Sequence, residues 1–144
     1  MTAHDLSRRQ LLGVAGATVA GACLLGACVQ APPTPRDDAS AVKGHGKGTR
    51  VAALADVKVG QAKAITLDSH ALLLTRPAER EVHLFSAICP HAGCTVAPAA
   101  GELDCPCHGS RFALTNGSVL SGPAQAPLAE IPVEIQGADV VLAS

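Results

Sequence analysis

The chain has 144 residues, eleven basic against twelve acidic side chains, a formal net charge of −1 and 48% apolar residues. That length holds one small domain beside a leader, and the near-balance of charge excludes a nucleic-acid surface built on clustered Lys and Arg. Only two aromatic residues, Phe85 and Phe112, are available to a core against six cysteines, so cysteine chemistry is the first thing to place.

Ser7-Arg8-Arg9-Gln10-Leu11-Leu12 reads as a twin-arginine export start, and no charge occurs from Leu11 to Gln30. Such signals export proteins already folded, which places the domain on the outer face of the cytoplasmic membrane. Leu25-Gly26-Ala27-Cys28 resembles a lipobox with Cys28 as the lipidation candidate, so residues 1–28 read as a signal. Two other outcomes stay open. Leu11 to Val29 is long enough to remain as a membrane anchor across a hydrocarbon core of about 30 Å, and cleavage with soluble release is the third. Cys23 reads as a small apolar residue of the leader.

Residues 29–48 read as a flexible linker. Ala31-Pro32-Pro33-Thr34-Pro35, then Arg36, Asp37 and Asp38, then Gly44-His45-Gly46-Lys47-Gly48 are rich in proline, glycine and charge without an apolar period. It serves either as a leash for a moving electron carrier or as a passive spacer, with His45 in solvent.

Residues 49–144 fit one domain. Strand signals recur at Val51–Leu54, Ala62–Leu67, Ala71–Thr75, Glu81–Ser86, Val119–Leu120, Glu130–Ile135 and Val140–Ala143. Asp68-Ser69-His70 and Arg76-Pro77-Ala78-Glu79 read as hairpin turns. No segment after the leader keeps a 3.6-residue period over ten residues, so the class is all-β. Pro132 puts its strand at a sheet edge or a strand start. His70 falls in a turn, His83 faces solvent on its strand, and Glu79-Arg80-Glu81 is a solvated hairpin edge.

Two boxes carry the chemistry: Cys89-Pro90-His91-Ala92-Gly93-Cys94 and Cys105-Pro106-Cys107-His108-Gly109-Ser110. Thiolate and imidazole donors in equal number suit iron–sulfur or zinc rather than calcium or magnesium. A structural zinc closes with four ligands and gives Cys94 and Cys107 no role. A [2Fe–2S] centre with two Cys on one iron and two His on the other matches the same donors.

The boxes, with Phe85-Ser86-Ala87-Ile88 before them and Gly122-Pro123-Ala124 after, resemble those of Rieske iron–sulfur proteins of the cytochrome bc1 and b6f type over roughly residues 50–143. The resemblance implies an antiparallel β-sandwich of three sheets with an inserted cluster-binding subdomain, Cys89 to about Phe112. It implies one [2Fe–2S] cluster, with Cys89 and Cys105 as thiolate ligands and His91 and His108 as imidazole ligands. It further implies a Cys94–Cys107 disulfide, Ser110 as a hydrogen-bond donor to a cluster sulfur, Gly109, Phe112 and Pro123 around the cluster, and Gly122 to Ala124 as a covering proline loop. Six cysteines then divide evenly among leader, ligands and disulfide. Phe85 and Phe112 pack behind the cluster loops.

Two positions depart from the respiratory pattern. Phe112 stands where many relatives carry tyrosine, which removes a hydroxyl donor to a ligand sulfur and lowers the reduction potential. Ala92 replaces a leucine that shields the cluster. The resemblance implies one-electron transfer, with the chain as the iron–sulfur subunit of a quinol–cytochrome oxidoreductase rather than a self-contained enzyme. Its partners are then a cytochrome b or c and a quinol. The alternative is an accessory subunit of another extracytoplasmic oxidase of the arsenite-oxidase kind; a dioxygenase ferredoxin and a structural zinc module are the remaining readings. There is no room for the mononuclear iron domain of a complete oxygenase.

Overall fold

The structure is a computed structural model that describes residues 35–144. Its centre is a four-stranded antiparallel sheet in the order β2 (Gln61–Leu67), β3 (His70–Ala78), β4 (Glu81–Ser86) and β9 (Glu130–Ile131). The β2–β3 hairpin closes on Asp68 and Ser69 alone, both left-handed with φ of 45° and 74°, the two-residue turn whose twist matches its strands. His70, expected in that turn, is the first residue of β3 and faces Leu67. The second hairpin also turns later than expected, at Glu79 and Arg80. A register shift between Thr75 and Ala78 absorbs Pro77, and β3 runs on to Ala78.

Leu72, Leu73 and Leu74 are all fully buried, which a strand permits only when both of its faces are covered. The period of two sorts them. Leu72 and Leu74 pack with Leu84, Ile131, Val140 and Leu142 on one side. Leu73 packs with Phe85, Phe112, Cys89 and Cys105 on the other. Each fully buried leucine or phenylalanine contributes about 1.5–3 kcal/mol.

The sheet over the first side has the order β1 (Arg50–Ala53), β11 (Asp139–Leu142), β10 (Val133–Gln136). The sheet over the second has the order β5 (Ala97–Pro98), β6 (Glu102–Asp104), β7 (Arg111–Ala113), β8 (Val119–Ser121), all antiparallel. The third sheet thus runs past Phe112, where the sequence sets the end of the insertion, because β8 pairs with β7 rather than with the main body. The expected single strand Glu130–Ile135 is likewise two, divided at Pro132 between different sheets.

The sequence points to no helix after the leader, yet α1 spans Pro35–Lys43 within the expected tether. At nine residues it is too short to show a period over ten. Ala39 and Val42 lie three apart, share one face, and are 5% and 0% exposed in the Leu72 core. His45 is exposed, with Nδ1 3.3 Å from the Asp68 carboxylate.

His83 also departs from its expected place. Its side chain is 22% exposed, with Nδ1 2.9 Å from Glu130 and Nε2 3.0 Å from Glu81, and its ring stacks on Phe85 at 6.0 Å. Burial pushes the imidazole pKa down, but hydrogen bonds and charges from Glu81 and Glu130 outweigh it, and the net shift is upward from 6.5. A raised folded value stabilises the fold fully below the unfolded pKa, and that contribution is lost as pH rises through the folded one. In chemical denaturation, wild type is expected to exceed His83→Gln below pH 6.5 by more than it does in the alkaline range. A difference independent of pH would refute this account.

Candidate metal centre

Both boxes form the same six-residue turn, Cys-Pro-x-x-Gly-x. In the first, the Gly93 N–H donates to the Cys89 carbonyl at 2.9 Å and the Cys89 N–H to the Cys94 carbonyl at 2.8 Å. In the second, Gly109 donates to Cys105 at 3.0 Å and Cys105 to Ser110 at 2.8 Å. The fifth position takes φ of 74° at Gly93 and 72° at Gly109, the left-handed region in which glycine carries no Cβ penalty. The turns differ only in which positions bear the side chains. The disulfide Cys94–Cys107 joins position six of the first turn to position three of the second, with Cα atoms 6.4 Å apart.

So joined, the turns sort their donors by depth. Cys89 and Cys105 are free thiols, 1% and 2% exposed, against Phe112, Leu103 and Val96. His91 and His108 are exposed on the outside, with ring centroids 4.8 Å apart and edge to face. Burial pushes the Cys89 thiol pKa up despite backbone hydrogen bonds from His91 and Ala92, and the neighbouring Cys105 pushes it further. Two adjacent buried thiolates need a cation between them and the solvent-side donors, so the pair fits a thiophilic metal centre. Among the described residues no three donors gather round one ion-sized point. Two buried thiols and two exposed imidazoles are the donors, in kind and number, that a [2Fe–2S] centre with two Cys and two His would take.

The second turn is roofed by the loop after β8. Gly122 lies so close to it that a Cβ there would sit 2.4 Å from the Ser110 Cα and 2.8 Å from the Gly109 carbonyl oxygen. Ala124 donates its N–H to the Ser110 Oγ at 3.1 Å. The buried hydroxyl therefore accepts from the loop and still has its own proton to donate. Pro123 is exposed beside the buried Ala124. Phe112 and Phe85 are fully buried behind the turns, in the packing role the sequence gives them. Ala92 is exposed beside His91. Leu120, within the expected strand Val119–Leu120, is 54% exposed just before the roof, a large apolar side chain beside the site to which the sequence assigned no role.

The family model for the Rieske [2Fe-2S] domain matches residues 47–132. The chain belongs to this family. Its cofactor is one [2Fe–2S] cluster, and the three-sheet antiparallel fold with a Cys94–Cys107 disulfide is the one expected of it. The Rieske domain is similar to the cytochrome b6-f complex iron-sulfur subunit of Synechococcus sp., at 44% identity over 57 residues, 38% of this chain and 33% of that protein. Among solved structures it is similar to the plasma membrane Rieske protein PetC3 of Synechocystis PCC 6803, with a TM-score of 0.58, 26% identity, 67% of this chain and 99% of that one. It is also similar to the ferredoxin of carbazole 1,9a-dioxygenase from Nocardioides aromaticivorans, with a TM-score of 0.55, 27% identity, 66% of this chain and 95% of that one. The chain spans between 16% and 33% of the length of the first curated relatives it matches.

The twin-arginine start, the Leu11–Val29 stretch, Cys23 and the lipidation candidate Cys28 lie outside the described residues. Among the described residues no helix of this Rieske domain is long and apolar enough to cross a membrane.

Proposed function

We propose that this Rieske domain serves a quinol–cytochrome oxidoreductase on the outer face of the cytoplasmic membrane, passing single electrons from a quinol to a cytochrome. The observation that carries this reading is the paired, exposed imidazoles of His91 and His108 set over buried Cys89 and Cys105. When bound, the [2Fe–2S] cluster supplies reversible one-electron chemistry. With Cys89, Cys105, His91 and His108 as its four ligands, no coordination position is left for substrate. His91 and His108 are both exposed, so the ring nitrogen of each that would not bind iron could share a hydrogen bond with a quinol hydroxyl.

The surroundings support an apolar partner. No Asp, Glu, Lys or Arg occurs in residues 84–101, 105–110 or 112–129, so both turns and the roof are uncharged. Charge returns at the base of the second turn, where Arg111 pairs with Glu102 at 3.1 Å and the half-buried Asp104, directly before Cys105, keeps a buried Oδ1 without a hydrogen-bond partner among the described residues. Docking on such a tip is driven by apolar contact and is nearly insensitive to salt, unlike capture by a ring of charges. The twin-arginine start and the disulfide both fit an oxidising compartment, which weighs against a cytoplasmic dioxygenase ferredoxin. A second reading, an accessory carrier to another extracytoplasmic oxidase, draws on Ala92. Its small side chain leaves His91 open where a quinol pocket has least to grip.

Cys89→Ala, Cys105→Ala, His91→Ala and His108→Ala are each expected to abolish the electron paramagnetic resonance signal of the reduced cluster. In membranes holding the partner complex, quinol-dependent reduction should change less than about twofold between about 20 and 200 mM salt. Reduction by a soluble donor only, with a steep salt dependence, would reject the quinol reading while leaving electron transfer intact.

A further inference from the structure

One group of charged residues, Arg80, Glu81, Glu130 and Glu134, lies where the two remaining sheets come apart. β9 pairs with β4 only through Leu84↔Ile131 and Phe85↔Glu130. Pro132 has no N–H to continue the ladder, so the chain leaves β4 there and enters β10, which pairs with β11 on its other side. Two strand edges are left without a ladder partner across the opening: the start of β4, and β10 as the outermost strand of its sheet.

These edges line a cavity of about 500 Å³, with Arg80, Glu81 and Val82 on one wall and Val133, Glu134 and Ile135 on the other. A second cavity of about 390 Å³ continues it past Val82, His83, Glu130 and Pro132. Val82 and Val133 pack on the Leu72 core and give the opening an apolar floor. Across the two cavities three carboxylates, Glu81, Glu130 and Glu134, face the Arg80 guanidinium and the His83 imidazole that bridges two of them, an excess of negative charge. Glu81 and Glu130 each hold His83 through Oε1, and Glu134 Oε1 accepts from Gln136 Nε2 at 2.8 Å.

We propose that this wedge is a strand-addition site that takes an extended, lysine- or arginine-bearing peptide segment of a partner protein. The peptide backbone adds to the open edge of β10. Alternate side chains, by the period of two, rest on Val82 and Val133 or reach the carboxylates. An open edge of this kind otherwise invites indiscriminate pairing. A second copy of this chain fits poorly, because its own β10 would bring Glu134 against like charges. Since the wedge uses none of the cluster-turn residues, a partner held there leaves His91 and His108 free to exchange electrons.

The test uses the full-chain holoprotein and a synthetic peptide of alternating Lys and Val, followed by calorimetry and by amide hydrogen exchange. Saturable one-to-one binding is expected, with new protection confined to the Arg80–His83 and Val133–Gly137 segments and weakening as salt is raised. Glu134→Lys, or Glu81→Lys if that variant does not fold, should weaken binding by about tenfold or more. A peptide with proline at its central position should not bind, because it cannot complete the ladder. The proposal is overturned by absent binding, by equal binding of an alternating Glu and Val peptide, by protection elsewhere, or by self-association of the protein without peptide.

Discussion

Replacing Cys94 or Cys107 with alanine is expected to yield a protein that loses its cluster or holds it only transiently. The bridge closes a loop with a sequence separation of 13, worth about 3 kcal/mol in the chain-entropy model. Against a total stability of about 5–15 kcal/mol for a domain, that is a large share. The local effect is larger than the global one. The bridge is the covalent tie between the two turns, whose outer ends otherwise meet through the edge-to-face contact of His91 and His108. Visible absorption and the electron paramagnetic resonance signal, followed over time after purification and titrated for potential, give the readout. A stable cluster at unchanged potential in either variant would mean that the bridge does not hold the turns.

Gly122→Ala is the second change with a large expected effect. The new Cβ would lie 2.4 Å from the Ser110 Cα, 2.8 Å from the Gly109 oxygen and 2.9 Å from the Ser110 N. All three are backbone atoms, so no side-chain rotation relieves the clash. Gly122 also has φ of 101°, where an alanine is strained by about 1–3 kcal/mol, and overpacking adds about 1–3 kcal/mol more. The roof should lift, breaking the 3.1 Å bond from the Ala124 N–H to Ser110 Oγ and admitting water to the turn. Gly101→Ala is the matched control, since Gly101 has φ of 78° but open space at its Cβ position. Cluster half-life and potential should change in Gly122→Ala and not in Gly101→Ala. Equal behaviour of the two variants would show that the roof does not seal the site.

The site was far more legible than its frame. Cys89, His91, Cys105 and His108 are close in sequence within each box, and the chemistry of thiolate and imidazole donors limits what such boxes can hold. The long strands β2, β3 and β4 were legible as well, since six to nine residues are enough to show alternation or, in β3, an unbroken apolar run between turn signals. β5, β6 and β7 were not. Strands of two or three residues carry no period, and each exists only because its neighbour in the sheet satisfies it. The helix α1 escaped for the opposite reason: its composition is that of a linker, and Ala39 and Val42 gain their burial from residues far along the chain.

The sequence by itself limited the cofactor class, offered Cys89, His91, Cys105 and His108 as candidate donors and pointed to an all-β domain, because these depend on residue type and short spacing. Only the tertiary structure decided the depth of those donors, thiols inside and imidazoles outside, because depth depends on the disulfide and on the core packed behind each turn. It also decided that Ser110 accepts from the roof, that His83 is clasped by Glu81 and Glu130, and that Pro132 parts two sheets and leaves an open edge. Each of these joins residues distant in the chain, and their meeting is set by packing rather than by any local pattern.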